Sequence, residues 1–187
     1  MTDNHLYPNA NALLKKLKED GAEINAPVDI EYILKSLDIT VIYDESLENR
    51  DVIGEITFNE NGGPLIKVNP IQNSYETRRR FTLAHEIGHY CLHSDTNQKV
   101  FTDYRKTMNR SDSYWDAYES QANTFAAQLL MPKELLIKEG NQVIEKYKSD
   151  SDNDSMPVSK FIEKMSALFL VSAEAMKYRL KNLRVIS

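Results

Sequence analysis

Two histidines four residues apart, His85 and His89, constrain this chain more than any other feature. They enclose Glu86, and apolar residues recur around them at helical spacing. Residues four apart share one face of an α-helix, so both imidazoles can reach one ion. Because buried polar side chains need partners, a helix of this kind packed on a core favours a metal site. The alternative is an amphipathic helix that carries two histidines by chance.

The chemistry of such a site depends on Glu86, which follows the first histidine. From there its carboxylate can reach a water on the metal without binding the metal, as in zinc metalloproteases. Zinc lowers the pKa of the water, and Glu86 as general base takes a proton from it and later gives one to the leaving amine. Gly88 costs helix propensity, and it predicts close approach by another backbone or a substrate.

A catalytic zinc needs a third protein ligand, which must come from elsewhere in the chain. His93 continues the four-residue series, but on a straight helix it lies about 12 Å along the axis from His85. Glu119 is the best candidate, because it lies on the same face of a second helical pattern as Asn123. The alternative for Glu119 is a solvated glutamate in the first turn of a helix. We expect Asn123 to hydrogen-bond Glu119 or a ligating histidine.

Stabilising a tetrahedral oxyanion requires a further hydrogen-bond donor. The sequence does not choose among five candidates: Tyr90, His93, Tyr104, Tyr114 and Tyr118.

Residues 81–93 and 119–132 resemble the ImmA/IrrE family of metallopeptidases, and the likeness extends to 64–69 and, more weakly, to 169–180. The resemblance implies that His85, His89 and Glu119 bind zinc and that Glu86 is the general base. It implies a protein substrate, a helix-turn-helix repressor that silences mobile-element or stress genes. Some members are partners in toxin–antitoxin-like pairs.

The expected fold class is α+β and zincin-like, with a small antiparallel sheet packed on the active-site helix, further helices and a C-terminal helical hairpin. The remaining patterns predict helices at 10–18 and 27–37, and strands at 39–43, 52–58 and 65–69. Asn73 and Glu76 resemble a capping box that opens the active-site helix. Residues 94–112 are polar and predict mostly loop, and Pro132 predicts a further short helix.

Three regions are expected along the chain: a metallopeptidase domain at 1–148, a flexible acidic linker at 149–156, and a helical hairpin at 157–187. The second helix of the hairpin is basic, with Lys177, Arg179, Lys181 and Arg184. DNA binding by a helix-turn-helix is one interpretation. Packing of the hairpin on the core is favoured, because base-reading side chains are not apparent and acidic residues oppose the charge.

The composition of the 187 residues limits the binding partners and the cellular compartment that we expect for the protein. A formal net charge of −5 gives no global attraction to DNA or anionic membranes. Cys91 is the single cysteine, which excludes an intramolecular disulfide and fits a reducing compartment. The sequence contains no signal peptide and no stretch long enough to span a membrane, so we expect a cytoplasmic protein.

The sequence therefore predicts a zinc metallo-endopeptidase that cleaves a cognate repressor. Two alternatives stay open: a non-catalytic binding subunit with a structural zinc, and a DNA-binding regulator. If the strand at 65–69 is an edge, an extended substrate segment can pair with it across the metal. Cleavage is then expected in a linker or a frayed helix end, with the C-terminal hairpin as part of the docking surface.

Overall fold

A computed structural model describes residues 6–59, 63–105, 115–150 and 155–186. The strands are β1 (Thr40–Tyr43), β2 (Val52–Asn59), β3 (Gly63–Val68) and β4 (Val100–Tyr104), with a 3-10 helix at Glu45–Arg50. The helices are α1 (Ala10–Glu19), α2 (Ile30–Ser36), α3 (Glu76–His93), α4 (Trp115–Leu130), α5 (Lys133–Asp150), α6 (Val158–Phe169) and α7 (Ala173–Asn182). The predicted α+β class is confirmed.

The four strands form one sheet in the order β1-β3-β2-β4. β2 pairs antiparallel with β3 and with β4, which agrees with the antiparallel pairing that the sequence predicts. The register of β2 against β4 shifts between Val52 and Gly54, which marks a β-bulge or a similar irregularity. β1 instead pairs parallel with β3, so the sheet is mixed. The chain makes that parallel pair by crossing through the 3-10 helix and β2 before it enters β3.

The position of β3 in the sheet contradicts one expectation about substrate binding. β3 lies between β1 and β2, so the strand predicted at 65–69 is not an edge. The edge next to β2 belongs to β4, in a stretch predicted to be mostly loop. Phe101 is fully buried while Val100 is 41% exposed, and this alternation is typical of a strand with one face on the core.

The active-site helix α3 does not begin with the predicted capping box. Its N-cap residue is Tyr75, and no side chain caps it. Asn73 is buried and donates to the backbone oxygen of Ile53 at 3.0 Å, while it accepts from Thr82 Oγ1 at 2.7 Å. Asn73 therefore anchors α3 to the sheet, because its side chain joins the segment before the helix, β2 and the helix itself.

Gly88 lets α3 and α4 pack closely. A Cβ atom at this position would lie 3.1 Å from both the Cα and the backbone oxygen of Ala122, and 3.2 Å from Phe125 Cβ. The expected close approach of another backbone is confirmed, and that backbone belongs to α4. As a result Glu119, about one turn before Ala122, faces the two histidines of α3.

The C-terminal helices extend the same core. α5 has 18 residues, so the prediction of a short helix after Pro132 is wrong. It continues through Asp150 and includes the first residues of the predicted linker, of which 151–154 lie outside the described residues. The hairpin α6–α7 contributes five side chains to the buried cluster that also holds Leu129: Met165, Phe169, Val171, Met176 and Leu180. No helix in the described ranges is both long and apolar enough to cross a membrane.

Candidate metal centre

Three potential ligand atoms face one point between α3 and α4. His85 and His89 are buried, and their Nε2 atoms lie 3.0 Å apart. The carboxylate of Glu119 reaches both imidazoles, with Oε2 3.1 Å from His85 Nε2 and Oε1 3.3 Å from His89 Nε2. The three side chains form a group that could hold a metal ion.

The spacing of these atoms fits a metal with short bonds. Ligands about 2.0–2.1 Å from a tetrahedral zinc lie roughly 3.3 Å from one another. The separations here are 3.0 to 3.3 Å. Two imidazole nitrogens and one carboxylate oxygen are the donor set of many three-ligand zinc sites, which keep a fourth position for water or substrate.

The pKa values of the three side chains suit the replacement of a proton on His85 by a metal cation. Burial lowers the pKa of both imidazoles. At His85 the hydrogen bond to Glu119 and the charges of Glu86 and Glu119 outweigh burial and raise the pKa to about 9. At His89 burial prevails, and the pKa falls to about 4. Burial raises the pKa of Glu119, but hydrogen bonds to the two histidines lower it to about 2. A bound cation would displace the proton on His85.

Glu86 lies beside the ligands as a fully buried carboxylate. Neither of its oxygens has a hydrogen-bond partner among the described residues, and burial raises its pKa well above the ordinary value. Gly54 of β2 makes room for it, because a Cβ there would lie 2.6 Å from Glu86 Oε1. A buried acid without partners is costly, so its presence indicates a functional group.

Behind the ligands, each imidazole has a polar partner at Nδ1. Asn123 Oδ1 lies 3.1 Å from His85 Nδ1, so Asn123 contacts a histidine and not Glu119. His93 Nδ1 lies 3.1 Å from His89 Nδ1, and Gln121 Oε1 lies 2.9 Å from His93 Nε2. Through its two ring nitrogens His93 thus contacts the back of His89 and the side chain of Gln121. Gln121 was not identified from the sequence, where only its place two residues after Glu119 could have drawn attention.

The candidates for an oxyanion donor occupy different places. His93 lies behind His89, away from the ligand atoms, and Tyr118 packs edge-on against His93 at 4.5 Å. Tyr90 packs against Phe58, with ring centroids 6.0 Å apart. Tyr104 ends β4 and is 40% exposed. It is one of the groups that raise the pKa of Arg50. Tyr114 lies outside the described residues.

Two residues of β4 border the centre and were not identified from the sequence. The ring of Phe101 stacks on His89, with centroids 4.6 Å apart. Asp103 is half-buried, burial raises its pKa, and its charge raises the pKa of His85. The sequence feature that could have identified them is the alternation of buried and exposed residues in β4. Over only five residues in a polar stretch, this alternation is a weak signal.

Comparison with known proteins identifies the fold and the family. The fold is similar to that of a Mycobacterium tuberculosis transcriptional regulator, with a TM-score of 0.54 and 15% identity over 95% of this chain and 48% of that one. The chain spans about half the length of that protein, and the likeness shows the fold alone. No curated protein matches the chain. The sequence profile of the Peptidase_M78 family, described as the IrrE N-terminal-like domain, matches residues 35–181. The chain therefore belongs to this metallopeptidase family, as the resemblance to ImmA/IrrE proteins indicated.

Proposed function

We propose that the protein is a zinc-dependent endopeptidase whose metal is held by His85, His89 and Glu119. The observation that carries the proposal is the buried carboxylate of Glu86, which has no hydrogen-bond partner in the described part of the chain and whose charge raises the pKa of His85, one of the three converging residues. A purely structural zinc site usually closes with four ligands and needs no base beside it. A non-catalytic binding subunit is therefore the weaker interpretation.

The donor set favours zinc over calcium and magnesium. Calcium takes six to eight oxygen ligands, and magnesium prefers octahedral oxygen sites that keep several waters. Two imidazoles and one carboxylate at tetrahedral spacing suit zinc better. When bound, zinc would lower the pKa of a water and polarise the carbonyl of the scissile bond.

The chain's own contribution to the reaction is the handling of protons by Glu86. Its carboxylate accepts a proton from the attacking water and donates one to the leaving nitrogen of the peptide. Burial raises the pKa of Glu86, which favours the protonated form that exists between the two transfers. Gly54 of β2 leaves the space that this carboxylate occupies, because a Cβ there would lie 2.6 Å from Glu86 Oε1. The general-base role that the resemblance implies agrees with this environment.

The substrate is proposed to be an extended segment of a protein, because the reacting bond must cross the metal. β4 is the edge strand beside the centre, and Phe101 on β4 stacks on His89. A substrate strand added to β4 would gain main-chain hydrogen bonds close to the ligands. β4 thus takes the role that the sequence assigned to residues 65–69.

Among proteins with such extended segments, the proposed substrate is a helix-turn-helix repressor. The proposed location is the cytoplasm, where such repressors bind DNA. The family resemblance supports this, and the description of the fold relative as a transcriptional regulator agrees with a role in gene control. Direct DNA binding by α6–α7 is less favoured. Arg179, one of the four basic residues at 177–184, donates from Nε to the backbone oxygen of Met131 at 3.0 Å and is half-buried. Tyr178 on α7 is exposed and could instead contact a bound protein.

The test combines metal analysis with cleavage. We expect about one zinc per chain, lost in His85→Ala, His89→Ala and Glu119→Ala. Glu86→Gln should keep zinc and the fold but lose most cleavage of a repressor encoded beside the gene, about 10²–10⁴-fold, because an amide cannot accept the water's proton. If Glu86→Gln cleaves the repressor at the wild-type rate, Glu86 is not the general base. Tight repressor binding without cleavage by either protein would favour the binding-subunit interpretation.

A further inference from the structure

A chain of three polar side chains runs from the surface of α4 to the back of one proposed ligand. Gln121 Oε1 lies 2.9 Å from His93 Nε2, and His93 Nδ1 lies 3.1 Å from His89 Nδ1. His93 is 1% exposed, and its ring packs against Phe101 at 5.3 Å and edge-on against Tyr118 at 4.5 Å. The rings therefore hold His93 in the orientation that its two polar contacts require.

The direction of these hydrogen bonds decides whether His89 can bind a metal. A neutral imidazole carries one proton, and its other nitrogen has the lone pair. If His89 Nε2 is to bind a metal, the proton of His89 must be on Nδ1 and must be donated to His93 Nδ1. His93 then carries its proton on Nε2 and donates it to an acceptor, which is the oxygen of Gln121. A donor at position 121 would reverse every bond in the chain and place a proton on His89 Nε2.

We infer that His93 and Gln121 are positioning residues that set the tautomer of His89, so that its Nε2 lone pair faces the metal. This inference rests on the proposed metal site. Gln121 lies two residues after Glu119 on α4, so one helix supplies both the third ligand and the acceptor that orients the second. His85 is oriented separately, through Asn123 Oδ1 at 3.1 Å.

Substitutions at position 121 separate hydrogen-bond acceptance from other effects. Gln121 is exposed, so its replacement is compatible with folding. Gln121→Leu removes the acceptor, whereas Gln121→Glu keeps an oxygen that can only accept. Gln128→Leu is a matched control, because Gln128 lies seven residues further along α4 and lines the same surface groove as Gln121. His93→Phe removes the middle of the chain and keeps a ring of similar shape.

The experiment measures the zinc dissociation constant of each purified full-length variant by competition with a chromophoric chelator. Gln121→Leu should weaken zinc binding about 10-fold and His93→Phe by up to about 100-fold, the range for partners that orient metal ligands. Gln121→Glu and Gln128→Leu should bind as the wild type does. Thermal unfolding in excess chelator measures the stability of the metal-free fold separately.

Three results would overturn the inference, and they can be told apart. Wild-type zinc affinity in both Gln121→Leu and His93→Phe would show that the tautomer of His89 needs no such support, while the proposed metal site stands. Equal weakening in Gln121→Leu and Gln121→Glu would show that acceptance at position 121 is not the cause. If the wild-type protein itself binds no zinc, the proposed function fails and this inference fails with it.

Discussion

At the scale of single residues, the centre depends on two glycines as much as on its charged groups. Gly54 and Gly88 stand where a Cβ would meet the base and the neighbouring helix, respectively. The histidines, Glu86 and Glu119 can be predicted from sequence because their spacing on helices is local. The need for Gly54 beside Glu86 cannot be predicted in the same way, because these residues come together only through the packing of α3 on β2.

Gly54→Ala should impair cleavage much more than zinc binding. The new Cβ would lie 2.6 Å from Glu86 Oε1 and 2.8 Å from Thr82 Cγ2, so the carboxylate must move while the ligands stay in place. A misplacement of about 1 Å can cost on the order of 10²-fold in rate. Zinc content and kcat/KM measured together check this expectation. Loss of zinc with unchanged activity per bound zinc would contradict it.

At the scale of elements, the contact between α3 and α4 assembles the proposed ligand set, since α3 supplies two of its residues and α4 the third. The helices at residues 85 and 119 follow from apolar periodicity, which is a local signal. β4 and the interior position of β3 were missed, because strand order and pairing depend on partners distant in sequence. Asn73 was misassigned for a similar reason. Its partner Thr82 lies nine residues away, and Ile53 belongs to another element.

Gly88→Val should separate α3 from α4 and loosen the third ligand. The substituted side chain would begin 3.1 Å from the backbone of Ala122, which cannot yield without moving α4. Overpacking of this kind typically costs about 1–3 kcal/mol of stability. We expect a lower unfolding temperature in chelator together with weaker zinc binding. If the variant is destabilised but binds zinc normally, Glu119 can reach the metal without the close packing of α3 on α4.

At the scale of the whole molecule, the proposed metal joins parts of the fold that are distant in sequence. Glu119 lies 34 residues after His85, and the two are connected through β4 and residues outside the described ranges. Because zinc would bind the folded chain and not the unfolded one, free zinc at 1,000 times the dissociation constant should stabilise the protein by about 4 kcal/mol. Thermal unfolding with zinc and with chelator tests this, and His85→Ala should abolish the difference. An equal zinc effect in His85→Ala would place the stabilising ion elsewhere.

The shape of the substrate is the last property that the whole molecule predicts. Among the described strands β4 lies at an edge of the sheet, which suits an extended segment, and a folded helix cannot pair there without unwinding. We therefore expect the cut in a linker or frayed helix end of the repressor, with loss of its dimerisation or DNA binding. One short strand offers little affinity without a docking surface elsewhere, so unfolded casein should be a poor substrate. Incubation of both proteins with the zinc-loaded enzyme, with Glu86→Gln as control, followed by mass spectrometry of the products, tests this. Rapid digestion of casein beside an intact repressor would indicate a general peptidase.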